Sequence, residues 1–149
     1  MRLARQFLLI ISLMFWQGGF MFYGGVVVPV GSRVLDSDLQ QGFITQSVTH
    51  YLNLAGLVCL AIWAEHFWND RQWVSKIEWG LLAMEFVFLM ALVGVHVAMD
   101  QVLDARTTNV INPARFGVGH KLYIGISSLQ WMFGLFLLLL SLQRWNRPT

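Results

Sequence analysis

Four stretches of this chain, about residues 7–30, 48–67, 79–99 and 122–142, are apolar with few polar interruptions. A bilayer core of about 30 Å is crossed by roughly 20 apolar residues in a helix, so each stretch predicts one span. Lipid offers no partner for free backbone N–H and C=O groups, so the runs are expected as helices and not as open strands. The pattern predicts an all-α fold, a four-helix transmembrane bundle forming a single membrane domain over 1–149.

The polar punctuation between the runs refines this picture. Pro29 and Gly31 are expected to end the first span. Ser37-Asp38-Leu39-Gln40 fits a capping box, so a helix leading into the second span is expected to start at Ser37. Asn69 to Glu78 reads as a compact polar turn, with Trp63, Trp68, Trp73 and Trp79 around it as an interfacial belt. Asp100 to Gly119 is the longest polar connection, with turn signals at Asn109 and Asn112-Pro113. Gly18 and Gly25 share a face of the first span. Close helix packing is the expected reason; the alternative is a smooth wall for a flat ligand such as a porphyrin or quinone ring.

Composition agrees with a membrane protein. Charged residues make up 12% of the chain, against roughly 25% in soluble domains. The net charge of +2 is spread along the sequence and gives no footprint for nucleic acid. The basic start Met1-Arg2-Leu3-Ala4-Arg5 precedes a run too long for a cleaved signal segment, so a retained first span is expected. Cys59 is the single cysteine and lies inside an apolar run, which excludes an intrachain disulfide and predicts a small core side chain.

Four spans place both termini and the Asn69–Glu78 turn on one side. That side carries Arg2, Arg5, Arg71, Lys76, Arg144 and Arg147, and the other carries Arg33, Arg106, Arg115 and Lys121. The positive-inside rule then favours cytoplasmic termini, in what is expected to be a bacterial inner membrane. Alternating direction brings His50, His96 and His120 to the side opposite the termini, and leaves His66 on the terminal side.

This placement supplies the candidate chemistry. Imidazole is the commonest protein ligand for transition metals, so His50, His96 and His120 could form a tripod. Asp100 is the candidate fourth ligand and Asp104 a supporting carboxylate behind it. His96 and Asp100 stand at i and i+4, which puts them on one helical face. Two of the histidines could instead hold haem b. The bland alternative is that interfacial histidines bond loop backbone or headgroups. A second candidate is Glu85, an ionisable group inside the third span, with Glu65 and His66 as expected partners for a proton or polar site. Gln17, Ser127, Ser128 and Gln130 fall near mid-membrane and are expected to bond between helices. No nucleophile elbow, phosphate loop or triad order is legible, so a catalytic role is not expected.

Phe22-Tyr23-Gly24-Gly25-Val26-Val27-Val28-Pro29-Val30 resembles the first-helix end of small four-helix bacterial membrane proteins related to the copper-resistance-D type. Arg115-Phe116-Gly117-Val118-Gly119-His120 and the apolar run after it resemble the last helix of that family, which a histidine also opens. The resemblance implies four spans and metal handling on the outer face through His120. His50, His66 and His96 do not map onto it. The sequence thus leads to three functional expectations: a metal- or haem-binding membrane protein, a structural or accessory subunit packed against itself or a partner in a membrane complex, or a small proton-coupled carrier using Glu85.

Overall fold

The computed structural model describes residues 2–104 and 109–146. Four long helices pack as a bundle: α1 (Leu3–Leu35), α2 (Asp38–Asn69), α3 (Lys76–Asp100) and α4 (Pro113–Trp145). Each is long and apolar enough to cross a membrane, which marks the chain as an integral membrane protein. Their outer faces carry Phe7, Phe15, Leu54, Val58, Phe86, Met90, Leu135 and Phe136, all exposed, as lipid contact requires. The most extensive packing is between α3 and α4, followed by α1 with α2 and then α2 with α3.

The side chains turned inward repeat at alternating steps of four and three. On α3 they are Glu78, Leu82, Glu85, Leu89, Leu92 and His96; on α4 they are Gln130, Gly134, Leu137 and Ser141. Thr49, Asn53, Gly56, Leu60, Trp63 and Phe67 continue the rhythm on α2. A repeat of about 3.5 residues is the spacing of left-handed knobs-into-holes packing. What distinguishes the inner stripe is not apolarity, since the lipid face is equally apolar, but its polar and small residues.

Helix ends follow local chemistry. Ser37 caps α2 by accepting from Gln40 N–H at 3.2 Å, as its sequence predicts. Ser75 and Glu78 form a reciprocal capping box at the start of α3. Asn112 caps α4, accepting from Arg115 N–H at 3.0 Å, with Pro113 at the first helical position where its missing N–H is harmless. Beyond α3 a short antiparallel pair, β1 (Leu103–Asp104) and β2 (Asn109–Val110), matches Leu103 with Val110.

Two boundaries differ from the expectation. Pro29 and Gly31 do not end α1, which runs on to Leu35. Its α-helical pieces Arg2–Leu13, Gly19–Phe22 and Val28–Leu35 are joined by wider π-helical turns, Met14–Gly18 and Tyr23–Val27. The second wide turn has already displaced the hydrogen-bond register, so Pro29 enters near the start of a fresh α-helical piece. Helix α4 also begins well before its apolar run, because Asn112 stabilises a polar first turn, whereas α2 begins at the expected Ser37 cap.

The glycines divide differently from the expectation too. A Cβ on Gly18 or Gly25 would meet nothing within 4 Å, so neither makes a helix contact. The close approaches are elsewhere. A Cβ on Gly56 would stand 2.5 Å from the Trp16 ring, and one on Gly119 would stand 2.7 Å from the Met99 side chain.

Candidate functional site

At the end of the bundle away from the termini all four helices line a cavity of about 520 Å³. This distal cavity is within the range of about 300–1,000 Å³ typical of small-molecule sites. Its apolar and aromatic walls come from Phe20, Val28, Leu52, Phe116, Tyr123 and Ile124. Phe20 and Tyr123 stack across the α1–α4 junction with ring centroids 5.8 Å apart.

Polar groups hold the walls together. Tyr23 Oη donates to Thr45 Oγ1 at 3.3 Å, and Gln41 Nε2 donates to Tyr23 Oη at 3.4 Å, tying α1 to α2. Tyr123 Oη donates to Asn53 Oδ1 at 3.2 Å, tying α4 to α2. The second π-helical turn of α1 forms part of the wall through Tyr23, Gly24 and Gly25. Val28 N–H donates to the Tyr23 carbonyl, and Pro29 has no N–H to offer the preceding turn. The sequence Gly24-Gly25-Val26-Val27-Val28-Pro29 therefore places bare backbone, one acceptor short of a donor, beside the cavity. π-Bulges recur at functional sites.

His96 is buried on α3 and lines this cavity. Its Nε2 lies 3.5 Å from Asp100 Oδ2, the i,i+4 pairing expected from the sequence. His120 lines the same cavity from α4, exposed and stacked on Phe116 with nearly parallel rings. His50 is exposed, stands edge-on to Tyr51, and is not among the lining residues. Among the described residues no three His, Cys, Asp or Glu side chains are grouped closely enough to hold a metal ion. The Asp104 side chain lies outside the described residues. No Lys or Arg is among the described residues that line the cavity.

Neither a family model, nor a curated protein, nor a solved structure matches this chain. Its function is therefore read from its own geometry.

Deeper in the bundle, Glu85 is 1% exposed. The expected partners do not reach it. Glu65 is exposed and accepts from Asn69 Nδ2, while His66 Nε2 lies 3.6 Å from Asp70. The residue that does approach Glu85 is Gln130, whose Nε2 donates to the Glu85 main-chain carbonyl at 3.1 Å. Gln130 is thus the interhelical bond expected of it, whereas Ser127 bonds the Ile124 carbonyl of its own helix. Cys59 is buried as expected, its thiol donating to Ser12 Oγ at 3.6 Å.

The terminal end is closed by a polar lock that sequence reasoning missed. Glu78 Oε1 accepts from Arg144 Nε at 2.9 Å and from Ser141 Oγ at 3.4 Å, while Arg144 also faces Asp70 at 3.8 Å. Trp63 and Phe67 pack edge-to-face beside it, so Trp63 belongs to the core and not to the interfacial belt, where Trp68 and Trp73 are exposed. Two signals could have found the lock: a Ser-x-x-Glu capping box at Ser75, and the single basic residue in the last turn of α4.

Proposed function

We propose that this protein is a membrane-embedded binding protein whose distal cavity takes a small, largely apolar molecule carrying a positively charged or hydrogen-donating group. The observation that carries the reading is a cavity of about 520 Å³ with buried His96 and half-buried Asp100 paired in its wall. The carboxylate and the aromatic rings of the wall favour a cation. Asp100 supplies a carboxylate, and Phe20, Tyr23, Phe116 and Tyr123 supply aromatic rings that attract cations. With cytoplasmic termini, as the basic residues favour, the cavity opens towards the outer face.

Phenyltrimethylammonium, its neutral isostere tert-butylbenzene and benzenesulfonate test the charge preference by calorimetry on protein in lipid nanodiscs. The cation is expected to bind at least about tenfold tighter than the neutral probe, a difference of about 1.4 kcal/mol. Asp100→Asn should erase that difference. Equal binding of all three probes, or none, overturns the reading.

A metal-centred version rests on one observation, that His96 and His120 line the same cavity. It requires these side chains to close on a shared ion, with Asp100 as the third donor. Metal analysis and an absorption spectrum of the purified protein separate it from the organic-ligand reading. Near-stoichiometric metal or a haem spectrum, lost on His96→Ala, would favour it.

A further inference from the structure

Glu85 lies nine positions into α3 from Lys76, about 13 Å from the helix start at 1.5 Å per residue. Neither of its carboxyl oxygens has a hydrogen-bond partner, and the buried Nε2 of Gln17 on α1 is also unpartnered. These unpartnered groups converge on the bare face of Gly134. The point where a Cβ would stand on that glycine is 3.4 Å from Glu85 Oε1 and 3.5 Å from Gln17 Nε2. A mid-bundle carboxyl and an amide thus face one small gap that the fold leaves without a side chain.

The chemistry of the gap selects its ligand. An isolated carboxylate without donor or counter-ion is heavily penalised in an apolar interior, and such groups neutralise instead. A proton is the smallest ligand that removes the charge. Among the described residues, the groups that meet Glu85 or the bare face of Gly134 supply no cation: α1 contributes Gln17 and Leu13, and α4 Gln130. The next charged residue along α3 is Glu78, one heptad away and neutralised by Arg144.

The distal cavity is separated from Glu85 along α3 by buried Leu89 and Leu92, and its approach to Glu85 runs along α4. Towards the terminal end the bundle is filled by Leu9, Leu13, Leu82 and Leu137, all buried. Towards the distal end Gln130 holds the Glu85 carbonyl, and Ser127, one turn further along α4, lines the cavity. We propose that Glu85 and Gln17 form a proton-binding site in the middle of the bundle that exchanges its proton with the distal cavity. On release, the Glu85 O–H proton passes to a water in the cavity. The carboxylate left behind accepts from the Gln17 amide N–H. Rebinding reverses both steps, with no other reactant. The site is independent of which molecule the cavity takes.

Infrared spectroscopy of the full chain in lipid nanodiscs tests this directly. The wild-type protein is expected to show a carboxylic C=O band from a water-excluded carboxyl that disappears as pH rises, shifts in D2O, and is absent in Glu85→Gln. Gly24→Phe narrows the cavity from a position where an added Cβ meets nothing within 4 Å, and should slow the D2O shift by about tenfold or more, a barrier rise of about 1.4 kcal/mol. Where Glu85→Gln fails to fold, Glu85→Asp keeps the carboxyl and should move the band instead of removing it. A missing band, a band that neither titrates nor exchanges until unfolding, or exchange unchanged by Gly24→Phe overturns the proposal.

Discussion

Single polar residues on the inner stripe specify this bundle more sharply than its apolar ones. Lipid tails are as apolar as leucine, so burying another leucine contributes little to helix association, while an interhelical hydrogen bond contributes about 0.6 kcal/mol. Tyr123→Phe removes the bond to Asn53 while keeping the ring stacked on Phe20. Unfolding in mixed micelles is expected to show a loss of about 0.6 kcal/mol, and not above about 1.7 kcal/mol. At this scale His96 and Asp100 were legible, since i,i+4 spacing is a local property of a helix. The isolation of Glu85 was not. Glu65 and His66 stand near the right membrane face, but their side chains turn to Asn69 and Asp70, which are i+4 neighbours on their own helix or its cap.

Whole helices reveal why the glycines of α1 mislead. Gly18 and Gly25 are seven apart and ought to share a packed face, yet two π-helical turns rotate the chain between and around them. The wide turns place Gly24 and Gly25 at the cavity instead. A position where a side chain would meet a rigid ring is Gly56, pressed against Trp16. Gly56→Leu is therefore expected to destabilise by about 1–3 kcal/mol through overpacking, and Gly25→Ala to leave the folding midpoint nearly unchanged. Thermal melts of both variants followed by circular dichroism give the comparison; equal shifts would remove the distinction between packed and cavity glycines. The capping box at Ser75 makes a further prediction for α3. Ser75→Ala loses the hydroxyl that accepts from Glu78 N–H, costing about 1 kcal/mol, and loosens the carboxylate that Arg144 grips.

Over the whole molecule the two ends of the bundle are unlike. The terminal end is shut by Glu78, Arg144, Ser141 and Asp70, and the distal end opens into the cavity. Arg144→Met leaves the buried Glu78 carboxylate without its cation and is expected to cost about 3–5 kcal/mol, whereas adding Glu78→Gln to it should restore much of the loss. A double-mutant cycle in micelles measures the coupling; additive losses would mean that the pair does not close the bundle. Binding at the distal cavity should survive in the double variant, because Leu9, Leu13, Leu82 and Leu137 separate the lock from Glu85 and from the cavity beyond it.

The sequence by itself determined the number of spans, their helical character, the Ser37 cap and the shared side of His96 and His120. These follow from run length, from the need of every backbone group in lipid for an intrahelical partner, and from alternating direction. Tertiary structure alone decided which face of each helix turns inward. It also decided that His96 and His120 share a cavity while His50 lies apart, and that Glu78 and Arg144 meet although they are far apart in the chain. The physical reason is common to all three. In a membrane protein both the core and the surroundings are apolar, so hydrophobic periodicity does not mark the buried stripe, and its polar and small residues acquire meaning once the helices are packed.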